Sequence, residues 1–548
     1  MSLSNILAAS GLARLAFTLP VLASLFLSGC ATVPPEVPPA EHLKTDGFVV
    51  VRVFVNAPMI GLMAPSFYAI GLKNTDNKKS DAVLMPLDYA SFGGWVPAGS
   101  YKIGNELALS PIGNVVVSAG ESLTGTVEVK PGHVNDLQTL IYQPIGAQSD
   151  IFIPVKAGMD VPATLKRDEP TVADQLLASG ISTADLQTAI PLKAGTEGRG
   201  ASGQGPIGDL LMHWSDAASA TEKQLRWADA KNGDDLISLA KQSTTRLDGG
   251  YFMPDGSIVF GSSLGQILLR TPDASWRFID TGRLDDVSYV VGEGPNLLAS
   301  LADGSVIFSS DAGVHWNTVR VSQPIPAALR IYPMGADGYL LICQTGTPGH
   351  YGMDVYKFAG PVAGNLTLVK HLDLGITFAM FLPSDIAMVK GRLFIAQDDN
   401  HINIFDTKTG VWSLQQTQSD FSRIKVSNDG EIVDLMGANG VFGTDYMSVD
   451  GGEHWEKTKI PFSAIDAHFI THDIGIGLDN DMGAFSSTTQ PMSTSDGGRT
   501  WVRGPAMQER CVDFLAIDKT REYLCSTMSG KIMSSTDGKH WTIERAVR

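Results

Sequence analysis

The chain has 548 residues, of which 43% are hydrophobic and 18% charged. That is the balance of a folded chain with room for several domains, not of a disordered one. Its 41 Lys and Arg against 58 Asp and Glu leave a net charge of −17, which repels phosphate backbones and argues against nucleic acid, or a bare anionic lipid surface, as a partner.

Residues 1–29 read as a secretory signal. Arg14 is their only charged residue, and an apolar run from Leu15 to Phe26 follows it. The run is shorter than the ~20 apolar residues needed to span a bilayer. It ends in Leu27-Ser28-Gly29-Cys30, which resembles the bacterial lipobox. The resemblance implies cleavage before Cys30 and acylation of its thiol, leaving Cys30 as a lipidated N-terminus. Several acyl chains on one residue anchor it firmly, at about 0.8 kcal/mol per buried CH2. Ala31, standing where an Asp would retain the protein at the inner membrane under the enterobacterial rule, implies the outer membrane; which face is exposed stays open. Residues 30–45 carry Pro34-Pro35 and Pro38-Pro39 and no apolar period. They read as an extended tether, at about 3 Å per residue reaching ~40 Å.

Residues 46–160 read as a β domain. Phe48 to Val55 is β-branched and apolar, the mark of a buried strand. Further strands are expected near Ser66–Leu72, Asp81–Leu87, Gly94–Val96, Tyr101–Ile103, Asn114–Val117, Gly125–Val129 and Thr139–Pro144. Short polar breaks separate them, which points to an antiparallel sandwich. Val96-Pro97-Ala98-Gly99-Ser100-Tyr101 resembles a turn of prealbumin-like and Ig-like domains. The resemblance implies that Pro97 and Gly99 shape the turn and Tyr101 packs inward.

Residues 161–243 read as a helical connector. Thr171-Val172-Ala173-Asp174 and Ser182-Thr183-Ala184-Asp185 have the form that caps a helix start, and Gly180 stands where a helix ends. A Gly-rich linker spans 195–208. A longer helix is expected from Asp216 to Lys231, ending at Asn232-Gly233. Leu225 and Trp227 on it suit core or interdomain packing better than a docking surface.

The rest of the chain, 244–548, repeats one phrase. Ser309-x-Asp311-x-Gly313-x-x-Trp316 returns as Ser448-x-Asp450-x-Gly452-x-x-Trp455 and Thr494-x-Asp496-x-Gly498-x-x-Trp501. A copy one residue shorter holds Asp537, Gly538 and Trp541. Degenerate copies end at Trp276 and Trp412. The Trp spacings are 40, 96, 43, 46 and 40 residues. The gap of 96 hides one unit without a box, with its body at Arg330–Val369, so seven units are expected. Each unit carries short apolar strands separated by Gly turns, and one such sheet needs neighbours on both faces. The phrase resembles the Asp-box of BNR-type β-propellers, similar to sortilin, sialidase and photosystem II assembly-factor propellers. The expected fold is therefore mainly β: a seven-bladed propeller behind a small sandwich and a short helical connector. In each box the Asp is suited to accept turn N–H bonds, the Gly to supply a positive φ, and the Trp to fill the wedge between blades.

The sialidase resemblance would require three arginines, a Tyr/Glu pair and an acidic acid/base. Arg330-Ile331-Tyr332 lacks the Pro of the sialidase Arg-Ile-Pro phrase, and the triad cannot be assembled from spacing. His468 and His472 look metal-like but suit surface or loop histidines better. Cys511 and Cys525 flank a turn at Asp518–Arg521. A regular hairpin would set Cys511 opposite Met528, so buried thiols are expected over a bridge. No catalytic residue, cofactor or metal is expected. The reading is a lipid-anchored envelope scaffold whose propeller docks a protein partner, with a glycan-binding or glycan-cleaving protein as the alternative.

Overall fold

In the computed structural model, the described residues lie between 42 and 545. Within those limits they omit 57–65, 77–80, 111–112, 119–125, 147–148, 157–158, 185, 187–201, 204–226, 228, 245–246, 320–327, 348–349, 361–365, 377–385, 390, 398–400, 417–420, 427–432, 438–444, 451, 459–463, 483–486, 510, 518–521 and 528–530. Cys30, and all of the signal and tether before residue 42, lie outside them.

The N-terminal strands are β1 (Asp46–Val55), β2 (Ser66–Asn74), β3 (Ala82–Pro86), β4 (Ser91–Pro97), β5 (Gly99–Ser110) and β6 (Gly113–Ser118), then β7 (Val127–Val129), β8 (Val134–Gly146), β9 (Ser149–Val155), β10 (Ile181–Thr183) and β11 (Ser202–Gly203). They form one 11-stranded sheet in the order β10-β8-β1-β4-β3-β2-β5-β6-β11, with β7 on β5 and β9 on β8. The sheet curls so that Val49, Val51 and Val53 of β1 meet Ile70, Leu72, Leu84 and Tyr101 across a common core. The intervening residues of β1, Phe48 and Val50, face outward under two helices, α1 (Val161–Asp168) and α2 (Pro170–Leu176). Both faces of β1 are therefore buried, which is why its sequence is apolar without alternation. A fully buried side chain of this kind contributes about 1.5–3 kcal/mol. The turn at Pro97 behaves as expected: Gly99 has φ +152°, and Tyr101 is fully buried with its hydroxyl donating to the Pro97 carbonyl at 2.9 Å.

Four sequence expectations are corrected here. The sheet is mixed, not antiparallel throughout, because β8 pairs in parallel with both β1 and β10. Ser182 and Thr183 lie in β10 and start no helix, since Ile181–Thr183 extends the sheet edge beside Val134–Asp136. Thr171 sits inside α2, which begins at Pro170, while Gly180 does end that segment with φ +101°. Asn232 does not close a helix but opens one, α3 (Gly233–Gln242), its side chain accepting from the Asp235 N–H at 2.9 Å. The expected helix at 216–231 falls largely outside the described residues.

Among the described residues, Asp248 to Arg545 form seven four-stranded antiparallel sheets, each built from four consecutive strands. Blade 1 runs from Asp248 to Asp280, blade 2 from Val287 to Thr318, blade 3 from Ala328 to Ile376 and blade 4 from Ile386 to Gln416. Blade 5 runs from Phe421 to Thr458, blade 6 from Ala464 to Arg503 and blade 7 from Cys511 to Arg545. The first strands of neighbouring blades pack against one another, so they are innermost. An apolar cluster fills each wedge, as with Val259, Ile267, Val290 and Ile307 between blades 1 and 2. The last wedge closes the ring: Ile258, Phe260 and Leu268 of blade 1 meet Leu524 and Ile532 of blade 7.

No described blade borrows a strand from another, so side chains hold the ring shut. Arg270 of blade 1, only 2% exposed, does much of this. Its guanidinium donates to Glu544 at 2.6 and 3.1 Å and to both oxygens of Glu522. Trp276 Nε1 also donates to Glu544 at 2.9 Å.

Candidate functional site

The boxes occupy the turn between the third and fourth strands of their blades. In blade 5, Ser448 donates its hydroxyl to Asp450 at 2.8 Å and accepts from the Gly452 N–H at 2.8 Å. The other work of Asp450 is to accept the N–H groups of Glu453 and His454, each at 2.9 Å, and to meet the His454 ring at 2.6 Å. Asp311 in blade 2, Asp496 in blade 6 and Asp537 in blade 7 repeat this arrangement, with His315, Thr500 and His540 at the place of His454. Burial raises the Asp450 carboxyl, but the His454 N–H and ring outweigh it and hold the group well below the usual carboxylate range. The Thr500 hydroxyl and N–H bring Asp496 down to about 2.

The glycines are fixed by geometry. Gly313, Gly452, Gly498 and Gly538 have φ of +87°, +91°, +82° and +71°, a region that other residues resist. A Cβ on Gly452 would press on Phe394 of the neighbouring blade at 3.0 Å, and one on Gly313 would run into Ile279. Trp316 and Trp541 each turn their indole N–H to the Gly carbonyl of their own box, at 3.0 and 3.3 Å. Trp455 instead reaches Gln415 of blade 4 at 3.3 Å. Trp501 lies edge-on to Phe469. Every box Asp is thus engaged in closing its own turn, and every box Trp in packing between strands or blades. In blade 1, where the box lacks Gly, Ala274 takes the left-handed conformation at φ +60°.

The sequence features that suggested chemistry do not converge. Arg270 closes the ring; Arg330 lies over the Tyr289 ring at 5.0 Å and Arg392 over Phe394 at 5.4 Å. His468 is buried on the innermost strand of blade 6, against the expectation of a surface residue, while exposed His472 meets Asp473 at 2.9 Å in the following turn. Among the described residues no group of three His, Cys, Asp or Glu side chains is placed to hold a metal ion. Cys511 and Cys525 are joined as a disulfide, with Cα atoms 5.9 Å apart. Two bulges, after Cys511 and after Phe514, shift the hairpin so that Cys511 opposes Thr527 and Phe514 opposes Cys525. This corrects the expectation of free thiols.

Two features were not read from the sequence. The first is a repeated bulge near the start of the innermost strand in six described blades. The residue after the bulge is Gly250, Tyr289, Arg330, Arg423, Asp466 or Asp513 in turn. Register therefore sets one Tyr, two Arg and two Asp at the same level of the ring. Because strands alternate in direction, this level lies at the end away from the boxes.

The second is the junction between the sheet and that same end of the propeller. Phe54, Ile141, Ile151, Ile153 and Trp227 pack with Leu236 and Ala240 of α3 and with Leu264 of blade 1. Asn56 is buried beside them; it donates to Gln143 at 2.5 Å and to the Ala240 carbonyl at 2.7 Å, and accepts from Ser263 at 2.7 Å. Arg52 of β1 donates to Asp285, in the link between blades 1 and 2, at 2.5 Å, and Tyr89 also donates to Asp285. Trp227, expected in core or interdomain packing, is buried in this junction; Leu225 is outside the described residues.

No protein-family model and no curated protein matches this chain. Among solved structures, YCF48 from Cyanidioschyzon merolae is similar at 13% identity and a TM-score of 0.40, over 53% of this chain and 94% of that one. A structure of YCF48 bound to D1 peptide is similar at 12% identity and 0.40, over 53% and 92%. BamB from Moraxella catarrhalis is similar at 11% identity and 0.32, over 54% and 85%. The propeller assignment rests on the seven sheets of this chain, and these distant likenesses assign it no function.

Proposed function

We propose that this protein is a lipid-anchored scaffold of the bacterial envelope, held at the outer membrane through Cys30, whose propeller docks a protein partner without catalysing a reaction. The observation that supports docking is the level set by the inner-strand bulges. It places the strand positions of Arg330, Arg423, Asp466 and Asp513 at one level, at the end of the ring that the boxes do not occupy. Arg is among the residue types that carry most binding energy at protein interfaces. The box aspartates, by contrast, are engaged in their own turns and contribute shape to the blades. A disulfide in blade 7 suits an oxidising compartment outside the cytoplasm, in keeping with export. The anchor is tested by fractionation: Cys30→Ala should move the protein from the membrane to the soluble fraction, and unchanged fractionation would remove the anchor from the account. The non-catalytic reading is tested with fluorogenic sialosides and a glycan panel. Turnover abolished by a single acidic substitution, for example at Asp466 or Asp513, would replace it with the glycosidase reading.

A further inference from the structure

Blade 7 departs from its neighbours in its innermost strand, Cys511–Ile517. Like five other described blades it has a bulge after the first residue, but a second one lies between Phe514 and Ala516 and leaves Leu515 out of the ladder. Among the described residues no other innermost strand is shifted twice. The second bulge is what brings the cysteines together. Ile517 pairs with Tyr523 and Ala516 with Leu524. Continued without a second bulge, that register sets Leu515 opposite Cys525. Cys511 then stands three residues further along, about 10 Å away. A bridge does not span more than ~7 Å between Cα atoms. With the second bulge, Phe514 opposes Cys525, Asp513 opposes Ser526, and the two cysteine Cα atoms are 5.9 Å apart.

We propose that the Cys511–Cys525 bridge is a redox-set register lock that keeps Asp513 in place at the docking end of the ring; its bearing on a partner rests on the docking reading above. Without the bridge, the strand regains a ladder pair by taking Leu515 back opposite position 525. Residues 511–514 then slip one residue toward the docking end, and Asp513 opposes Thr527 in place of Ser526. A slip of one residue carries each position to the other face of its sheet. Phe514 therefore leaves Trp541, on which it stacks at 6.1 Å, and Leu515 enters the wedge in its place. The lock is set as the chain folds. The two thiols pass two electrons and two protons to an oxidising disulfide by exchange, the S–S bond forms, and the oxidant leaves as a dithiol. Both cysteines are then fully buried, which shields the bridge from thiolate attack.

Crystal structures of full-length variants test the lock, and they involve no partner, so a failed lock and failed docking are read separately. In Cys511→Ser with Cys525→Ser, Leu515 should stand opposite position 525 and Asp513 opposite Thr527. Deleting Leu515 from that double variant removes the residue held out by the second bulge, and should return Asp513 to Ser526 with no bridge present. Asp513 still opposite Ser526 in the double variant overturns the lock, because the packing of Phe514 on Trp541 then sets the register alone. If the double variant does not fold, the Leu515 deletion in the chain with native cysteines serves. It should form the bridge with a single bulge, and a strand in which Phe514 does not oppose Cys525 overturns the register argument. The bearing on docking is read by photo-crosslinking from position 330 in the native envelope. The adduct should weaken in the double variant, and an undiminished adduct removes the lock from docking.

Discussion

Replacing Arg270 with Ala probes how the ring is held. Arg270 is 2% exposed and fastens blade 1 to Glu522 and Glu544 of blade 7. The Glu544 side chain is 11% exposed and the Glu522 side chain 33%, so Glu522 can rehydrate when the arginine is removed while Glu544 stays largely dry. Breaking one side of a buried ion pair costs about 3–5 kcal/mol, because the remaining charge is left without compensation. Part of that cost is relieved by the Trp276 N–H, which still donates to Glu544, so the lower end, about 3 kcal/mol, is the expectation. For a unit of this size it corresponds to a fall in Tm of roughly 6–12 °C. Arg503→Ala is the matched control: its side chain is 58% exposed in its pair with Asp479, and such surface pairs contribute about 0–1 kcal/mol. Urea and thermal melts of both variants, with the disulfide intact, make the comparison. If Arg270→Ala melts within about 1 kcal/mol of the wild type, the ring is closed by the apolar wedge alone and the clasp reasoning is wrong.

Other outcomes follow from the same geometry. Gly452→Ala should destabilise by about 1–3 kcal/mol, since it combines a φ of +91° with pressure on Phe394; a neutral chemical melt would contradict the turn's assigned role. Cys511→Ser with Cys525→Ser should cost roughly 3 kcal/mol, as expected for a loop closed across 14 residues, and the double variant should melt alike with and without reductant. Asp496 ionises at about 2 in the fold against an ordinary 3.8. A depressed carboxylate stabilises above its unfolded value, so this contribution is complete above about pH 4 and is lost as the pH falls toward the folded value. Asp496→Asn should therefore flatten the acid limb of a stability-against-pH curve, and an unchanged limb would show the bonds to be unimportant.

The propeller was legible because its signals are local. Each box is closed by partners within four residues, as Asp450 is by His454, and the Trp spacing counted the blades, including the one without a box. What escaped depends on partners far away in sequence or on breaks in period. Arg52 and Asp285 are 233 residues apart, and Arg270 and Glu544 are 274 apart; no spacing rule connects them. The disulfide escaped because two bulges shift a hairpin that simple counting keeps regular. Bulges also concealed the common level of Tyr289, Arg330 and Asp466, since an added residue breaks the alternation from which strand faces are read. Asn232-Gly233 was read as a stop, although Asn serves equally at the start of a helix, and the acidic residues Asp234 and Asp235 in the first turn were the signal for that choice.

The central claim is that the end of the propeller away from the boxes docks a protein partner. Photo-crosslinking in the native envelope tests it most directly, with the reactive amino acid placed at position 330 in one protein and at exposed position 314, on the box rim, in another. The account predicts a discrete protein adduct from position 330 and none from position 314. No adduct from position 330, together with turnover or retention of a glycan by the same preparation, would contradict it.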